Sequence, residues 1–303
     1  MTKRQVALVC ATLVALFYAI NFSSAKEVTP EHVGPFGLTW YRVIFTCAIF
    51  WIISLFVGPK EKVPLKEMPL IALAAFCGVG FNMITFMWGL SLTTPISASV
   101  LMVTTPIIVV ILSAIFLKEH LTIIKVAGVA LGFVGAALLI FLSTAPNKIG
   151  ADPTTGNVLV FLNCISYAIY ILLAKKLTKK YNVFTLMKWL YLFGVIYITP
   201  FGIQEGLAFE AGDATAHVLW NIAYVVLFAT FGTYMLNIIA IRTLRPSVVA
   251  VFVYLQPLLA ALIAVGLGTD YMTWTKAGAG LLIFTGVYLT GSKSQKLLFV
   301  SKN

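Results

Sequence analysis

The stretch VFVYLQPLLA, residues 251–260, combines two features that are seldom found together. It is apolar enough to lie in a membrane, yet Gln256 and Pro257 occupy its centre. Proline removes a backbone donor and clashes with the carbonyl four residues before it, so it breaks or kinks a helix. An unsatisfied polar group in hydrocarbon is costly. The stretch VLMVTTPIIV, residues 100–109, has the same form and leads to the explanation.

The two stretches are copies within a longer internal repeat. An offset of 151 residues superimposes them without a gap and matches prolines, acids, lysines and glycines. The matched pairs are Pro95 with Pro246, Pro106 with Pro257, Glu119 with Asp270, Lys125 with Lys276, and Gly135 with Gly286. A nearby offset of 149 residues pairs Tyr18 with Tyr167 and Lys26 with Lys175. We therefore divide the chain into two homologous halves.

The halves are residues 1–142 and 157–292. Between them lies the polar linker STAPNKIGADPTTG, residues 143–156, whose prolines and glycines are typical of a loop. We expect residues 293–303 to form a cytoplasmic tail. The repeat thus accounts for almost the whole chain.

Composition places both halves in a membrane. The 303 residues are 60% hydrophobic and 10% charged, with a mean hydropathy of +0.99, whereas a soluble domain has roughly 25% charged residues. Apolar runs near the ~20 residues needed to span a bilayer recur along the chain. We place ten at roughly 5–25, 35–57, 69–90, 95–117, 121–142, 157–177, 184–204, 217–240, 247–268 and 272–291. The predicted fold is an all-α integral membrane protein with ten transmembrane helices.

Charge fixes the predicted orientation. If the N-terminus is cytoplasmic, all but four of the 21 Lys and Arg residues fall in or beside cytoplasmic segments. The four on the outer side are Lys26, Arg42, Lys148 and Lys276. This asymmetry is the positive-inside rule, and it predicts a multi-pass protein of the cytoplasmic (inner) membrane with both termini in the cytoplasm. The net charge of +11 thus reflects topology, and we expect no nucleic-acid partner.

Five spans in each half is an odd number, so the second half enters the membrane from the opposite face. Such inverted five-helix repeats enclose a central site that is reached from alternate sides. Interrupted helices in corresponding positions of the two halves are the best pointer to that site. Pro106 and Pro257 are the matched interruptions, and we predict a helix kink at each.

Several motifs connect the chain to a known family. They are YAINF (18–22) followed by Lys26, Arg42, SYAIY (166–170), AIR (240–242), TPIIVVILSAIFLKE (105–119) and QPLLAALIAVGLGTD (256–270). With the double repeat, they make the chain resemble the drug/metabolite transporter superfamily, in particular its ten-helix EamA group. The resemblance implies a central substrate cavity lined by helices 1–4 and 6–9, with helices 5 and 10 outside it. The chain departs from the family at Tyr18 and Tyr167, where many members have tryptophan.

Polar residues at helical spacing mark the predicted cavity faces. Asn163, Ser166, Tyr167 and Tyr170 share one face of span 6, and Thr230, Thr233, Tyr234 and Asn237 share one face of span 8. The candidate substrate-binding residues are Tyr18, Asn21, Asn82, Trp88, Thr105, Tyr167, Tyr170, Tyr234, Asn237, Tyr254 and Gln256. The alternative is that these side chains only join helices, at roughly 0.6 kcal/mol per hydrogen bond.

Charged residues are scarce in the predicted spans. No Asp, Glu, Lys or Arg lies near the middle of a span, so we expect a neutral or zwitterionic substrate and no carboxylate for proton coupling. Arg42 lies about two turns from the outer end of its span, where snorkelling to the interface is the expected role. Binding of a substrate carboxylate is the alternative for Arg42.

The sequence offers little for catalysis or metal binding. His32, His120 and His217 have no metal-ligand spacing, and no nucleophile set or phosphate loop is present. The four cysteines are single and lie in apolar spans, so we expect reduced structural thiols. Gly128, Gly132 and Gly286 are expected to serve helix packing. We predict no enzyme activity, metal or cofactor.

The expected function is alternating-access transport of a small neutral or zwitterionic metabolite, with a small molecule and the lipid bilayer as partners and a monomer as the working unit. By resemblance, the substrate is an amino acid, aromatic ones included, and the direction is export. Two alternatives stay open: an antiporter for nucleotide sugars or phosphate esters, which would need cationic cavity residues, and a transport-inactive membrane scaffold.

Overall fold

The structure is a computed structural model that describes residues 2–28, 32–57, 61–92, 101–102, 104–116, 122–142, 153–210, 212, 214–256, 258–259, 262 and 274–291. All regular secondary structure in these ranges is helical. The helices are α1 (Lys3–Val28), α2 (Pro35–Phe56), α3 (Met68–Ala75), α4 (Phe81–Leu92), α5 (Thr105–Phe116), α6 (Ile123–Leu142), α7 (Pro153–Leu177), α8 (Val183–Leu207), α9 (Ala216–Val226), α10 (Thr233–Thr243), α11 (Pro246–Val251) and α12 (Trp274–Gly291).

Within the described ranges, six helical segments are long and apolar enough to cross a membrane: Lys3–Asn21, Pro35–Phe56, Leu65–Gly89, Thr154–Leu177, Val183–Leu207 and Ala216–Thr243. They coincide with six of the predicted spans. Ile123–Gly135 is a shorter apolar helix. The predicted spans at 95–117 and 247–268 include residues outside the described ranges, as do the linker and the tail. The chain is therefore a helical protein with several apolar helices of membrane-spanning length.

Local chemistry sets several helix starts. Pro35 opens α2, where the missing amide proton of proline costs nothing. The Asn182 side chain accepts a hydrogen bond from the Phe184 amide at the start of α8. Pro106 is buried and is the second residue of α5. Proline is tolerated at this place because the amides of the first helical turn have no partner within the helix. The other predicted kink, Pro257, lies outside the described residues.

Two π-helical segments were not predicted from the sequence. Phe76–Gly80 joins α3 to α4, and Leu227–Gly232 joins α9 to α10. They begin 151 residues apart, which is the offset of the sequence repeat. A π-helical turn is rare and occurs mostly as a single bulge inside an α-helix, often at a functional site. We therefore expect the residues that pack against these two segments to include residues of the functional site.

Helices of the first half pack on helices of the second half. The α2 helix packs along α8, α1 along α9 and α10, and α4 along α7. The α6 helix packs along α12, and a Cβ added at Gly286 would lie 2.6 Å from the Gly128 carbonyl oxygen. These glycines therefore permit close helix packing, as predicted.

Polar contacts also join the two halves near their helix ends. Glu61 Oε2 accepts from the Asn182 amide at 2.8 Å, and Lys180 Nζ contacts Glu67 at 2.7 Å. Elsewhere, Glu205 Oε2 accepts from the Gly37 amide at 2.9 Å in the first turn of α2, where a carboxylate is favoured by the helix dipole. The two halves thus form one packed body around a shared interior.

Candidate functional site

A cavity of about 110 Å³ lies in that interior. Its walls come from α1, α2, α4, α5, α7 and α10, from Met102 before α5, from Val249 of α11, and from residues 252, 253 and 256 after it. Both halves of the chain therefore enclose it. Eight of the predicted site residues line the cavity: Tyr18, Asn21, Asn82, Thr105, Tyr167, Tyr234, Asn237 and Gln256.

The structure places the other three predicted site residues elsewhere. Tyr170 is fully buried, and a Cβ added at Gly78 would overlap its ring, so Tyr170 packs on the first π segment. Tyr254 is fully buried beside Gly132 of α6. Trp88 is 47% exposed on the outside of the helix bundle. None of the three lies among the described lining residues of the cavity.

Side chains from the second half satisfy the backbone of the first π segment. The Tyr234 hydroxyl donates to the Gly78 carbonyl at 2.6 Å, and the Ser166 hydroxyl donates to the Cys77 carbonyl at 2.8 Å. A wider turn changes the helical hydrogen-bond ladder, and buried carbonyls require donors. Tyr234 and Ser166 supply those donors.

Amide side chains connect the cavity walls. The Asn237 amide donates to the Tyr167 hydroxyl at 2.9 Å. Asn82 and Asn163 donate to each other's backbone carbonyl, at 3.3 Å and 2.8 Å, and so join α4 to α7. These side chains therefore join helices and also line the cavity. The two alternatives drawn from the sequence are compatible at these positions.

Arg42 lines the cavity, so the expectation that it snorkels to the interface was wrong. Its side chain is 7% exposed, and Nε donates to the Thr230 hydroxyl at 2.8 Å. Thr230 belongs to the second π segment, and its hydroxyl donates to the Val225 carbonyl. Because Thr230 accepts this hydrogen bond inside the protein, the Arg42 side chain does not extend to water.

A sequence signal for Arg42 existed. Thr39, Arg42 and Thr46 lie at i, i+3 and i+7, which is one face of a helix, and all three are buried. Two buried threonines beside the arginine indicate a polar, inward-facing stripe. We assigned Arg42 to the interface from its distance to the end of the span and did not consider this pattern.

The cavity lining is mixed: alanine, valine, methionine and phenylalanine side chains lie beside tyrosine, asparagine, threonine and glutamine, and Arg42 carries the single formal charge among the described lining residues. No Asp or Glu is among them. In the part of the chain that the structure describes, no group of three or more His, Cys, Asp or Glu side chains could hold a metal ion. Cys10, Cys47, Cys77 and Cys164 are free and buried. This arrangement is suited to binding a small molecule by hydrogen bonds, ring contacts and one guanidinium.

Comparison with known proteins identifies the family. The family model of the EamA-like transporters matches residues 5–141 and 154–292. This chain belongs to the EamA-like transporter family. The motifs of the two halves predicted this membership, which the match confirms. The protein is thus a multi-pass membrane protein of a transporter family.

Relatives agree with the family assignment. An uncharacterized transporter of Archaeoglobus fulgidus is 25% identical over 284 residues, covering 94% of this chain and 96% of its own. A probable terminal-alkyne amino-acid exporter of Streptantibioticus cattleyicolor is 24% identical over 198 residues, covering 65% of each chain. A protein of known crystal structure superimposes with a TM-score of 0.76 at 17% identity, covering 95% of both chains, and shows that the fold is shared.

Proposed function

We propose that this EamA-family protein moves a small neutral or zwitterionic metabolite, such as an amino acid, out of the cytoplasm by alternating access. It works as a ten-helix carrier built from two inverted five-helix repeats. It resides in the cytoplasmic membrane as a monomer with both termini in the cytoplasm. No catalytic step takes part.

The observation that carries the proposal is the cavity between the two halves. Helices from both halves line it, and Tyr18, Asn82, Tyr167 and Asn237 face it. A site at the interface of two repeats can be exposed to one side or the other when the repeats rock against each other. A transport-inactive scaffold would not require such a site.

The inverted-repeat architecture is supported by three observations. The family model matches each half separately, at 5–141 and 154–292. The two π segments begin at equivalent positions of the halves. The packing is reciprocal, since α1 of the first half packs on α9 and α10, and the equivalent α7 packs on α3 and α4. An inverted duplication accounts for all three.

The substrate class is supported by the cavity chemistry. The lining combines tyrosine, asparagine, threonine and glutamine side chains with Met83, Phe86 and Phe252, and its volume suits a small molecule. One relative is named as a probable exporter of an amino acid. A nucleotide sugar or phosphate ester carries more negative charge than the single described lining cation would offset. An amino acid is therefore the better candidate.

The test is counterflow with purified protein in liposomes. The liposomes are preloaded with a pool of unlabelled amino acids, and one labelled amino acid at a time is added outside, with and without a pH gradient. Saturable accumulation of a label is the expected result. Silence across the pool, with folded protein, would reject amino acids as the substrate class, and nucleotide sugars would be assayed in the same way.

A matched pair of variants links transport to the cavity. Gln256→Ala removes a lining amide and is expected to raise KM about tenfold, the effect of losing one buried hydrogen bond worth about 1.4 kcal/mol. Thr285→Val is the control, because Thr285 is exposed on α12 and its hydroxyl bonds the Leu281 carbonyl of the same helix. Equal kinetics in the two variants would remove Gln256 from the site.

A further inference from the structure

Arg42 is a buried cation with unused hydrogen-bond donors. A guanidinium has five N–H donors. In the described part of the chain, its one hydrogen-bond partner is Thr230, which accepts from Nε at 2.8 Å. Nη1 and Nη2 thus have no hydrogen-bond acceptor among the described residues, and Arg42 is a lining residue of the cavity.

The charge of Arg42 also lacks a counter-ion among the described residues. The ion pair found there is Lys180 with Glu67, which lies away from the cavity in and near the loops. Arginine is almost never this deeply buried unless it is paired, and a buried charge without a partner is costly. Neutral groups such as the Thr230 hydroxyl do not balance it. The cavity wall is thus positively charged at Arg42, and an anionic group would neutralise that charge.

We propose that Arg42 binds a carboxylate of the transported molecule through its Nη groups, so that the substrate is a monocarboxylate, amino acids included. This inference rests on the proposed function and extends it by naming the recognised group. Guanidinium and carboxylate match in geometry and form charge-assisted, two-point hydrogen bonds. Thr230 fixes the guanidinium by holding Nε, which leaves its outer edge for the ligand.

One cation favours one negative charge. A carboxylate neutralises Arg42, whereas a phosphate ester with a charge near −2 leaves an excess negative charge in the cavity. The described lining offers no carboxylate for an ammonium group, which would meet only neutral oxygens and aromatic rings. Recognition therefore depends on the carboxylate more than on the amine. This distinguishes the site from one built for amines or cationic drugs.

The test compares ligands that differ in one charged group. Leucine and phenylalanine carry both groups, isocaproate and hydrocinnamate carry the carboxylate alone, and isoamylamine and phenethylamine carry the amine alone. Binding is measured as the rise in melting temperature of the purified protein in detergent. We expect the carboxylate-bearing compounds to raise it and the amines to have little effect. An equal rise with the amines, or no rise with any carboxylate, would overturn the proposal.

Variants separate binding from folding. Arg42→Gln is expected to weaken carboxylate binding about 30-fold or more, the effect of losing one partner of a buried charge pair. Arg42→Lys is expected to weaken it less, because the charge is kept. Tyr191→Phe is the control, since Tyr191 is buried, lies outside the described lining of the cavity, and has a hydroxyl without a hydrogen-bond partner among the described residues. If Arg42→Gln does not fold, Arg42→Lys decides, because undiminished carboxylate binding in that variant contradicts recognition by the guanidinium fork.

Failure of this inference is distinguishable from failure of the proposed function. If Arg42→Gln still shows counterflow of an amino acid with an unchanged KM, the proposed transport function stands and carboxylate binding by Arg42 is rejected. Carboxylate-dependent stabilisation without counterflow in the wild type keeps the site and rejects transport of these compounds.

Discussion

The hydroxyl of Tyr234 donates a hydrogen bond of 2.6 Å to the carbonyl of Gly78. It connects the cavity face of α10 to the π segment between α3 and α4, and thereby one half of the chain to the other. Replacing Tyr234 by Phe leaves a buried carbonyl without its donor. We expect a loss of about 1–2 kcal/mol in the free energy of unfolding, measured as a lower melting temperature in detergent.

Two other buried tyrosines provide the control for Tyr234→Phe. The hydroxyls of Tyr170 and Tyr191 have no hydrogen-bond partner in the described part of the chain. Their change to Phe removes an unsatisfied polar atom and is expected to leave the stability equal or higher. Equal losses in all three variants would show that ring packing, rather than the Gly78 bond, governs the effect.

The close approach of Gly78 to Tyr170 gives a second prediction. A Cβ at position 78 would overlap the Tyr170 ring, so Gly78→Ala is expected to destabilise the protein by about 1–3 kcal/mol through overpacking. Gly278→Ala on α12 is the matched control, because a Cβ there meets nothing within 4 Å. Thermal unfolding of both variants checks this, and the loss in Gly78→Ala combined with Tyr170→Val should be smaller than the sum of the two single losses.

Lys175 of α7 stabilises the C-terminal end of the neighbouring helix α10. Its Nζ donates to the carbonyl oxygens of Ile241, Arg242 and Leu244 at 2.8, 3.0 and 2.6 Å, at the C-terminus of α10. A cation at this position satisfies orphan carbonyls and the helix dipole. Lys175→Met is expected to cost about 1.5–3 kcal/mol. The exposed neighbour Lys176 is the control, and Lys176→Met should melt like the wild type.

The Lys180–Glu67 pair predicts a small, pH-dependent effect. The hydrogen bond with Glu67 raises the pKa of Lys180 above its ordinary value. A raised pKa in the folded state means that the stabilisation is present below the unfolded value of about 10.4 and is lost as the pH rises through the folded value. Exposed ion pairs contribute little.

Glu67→Gln is therefore expected to lower the melting temperature less than Lys175→Met does. The difference from the wild type should be present near neutral pH and should disappear in strong alkali. Melting curves across that range measure it. A difference that grows above the lysine pKa would contradict the assignment to Lys180.

Helical spacing predicted much of the cavity. The polar faces around Tyr167 and Tyr234 turned inward because a membrane helix hides its polar stripe from lipid. Trp88 does not line the cavity, and the helical period explains why. It is six residues beyond Asn82, about one and two-thirds turns, so the two side chains leave the helix on different sides. Grouping them by nearness in sequence ignored the rotation.

The features that the sequence did not reveal depend on contacts between helices. A π-helical turn is set by backbone hydrogen bonds that side chains such as Ser166 and Tyr234 complete from another helix, and no local pattern in FCGVG (76–80) announces it. Arg42 was misplaced for the same reason. Its burial depends on Thr230, which is 188 residues away in the chain. Local periodicity predicts which face of a helix points inward, but it does not predict which residues of other helices contact that face.

The burial of all four native cysteines has a practical consequence. None of Cys10, Cys47, Cys77 and Cys164 is more than 8% exposed, so thiol reagents should find little natural background on the folded protein. A single cysteine introduced at exposed Lys62 or Lys179 can then carry a fluorophore or spin label without prior removal of the native thiols. Labels at both positions, one in each half, would report the distance between the halves while a solute is being exchanged.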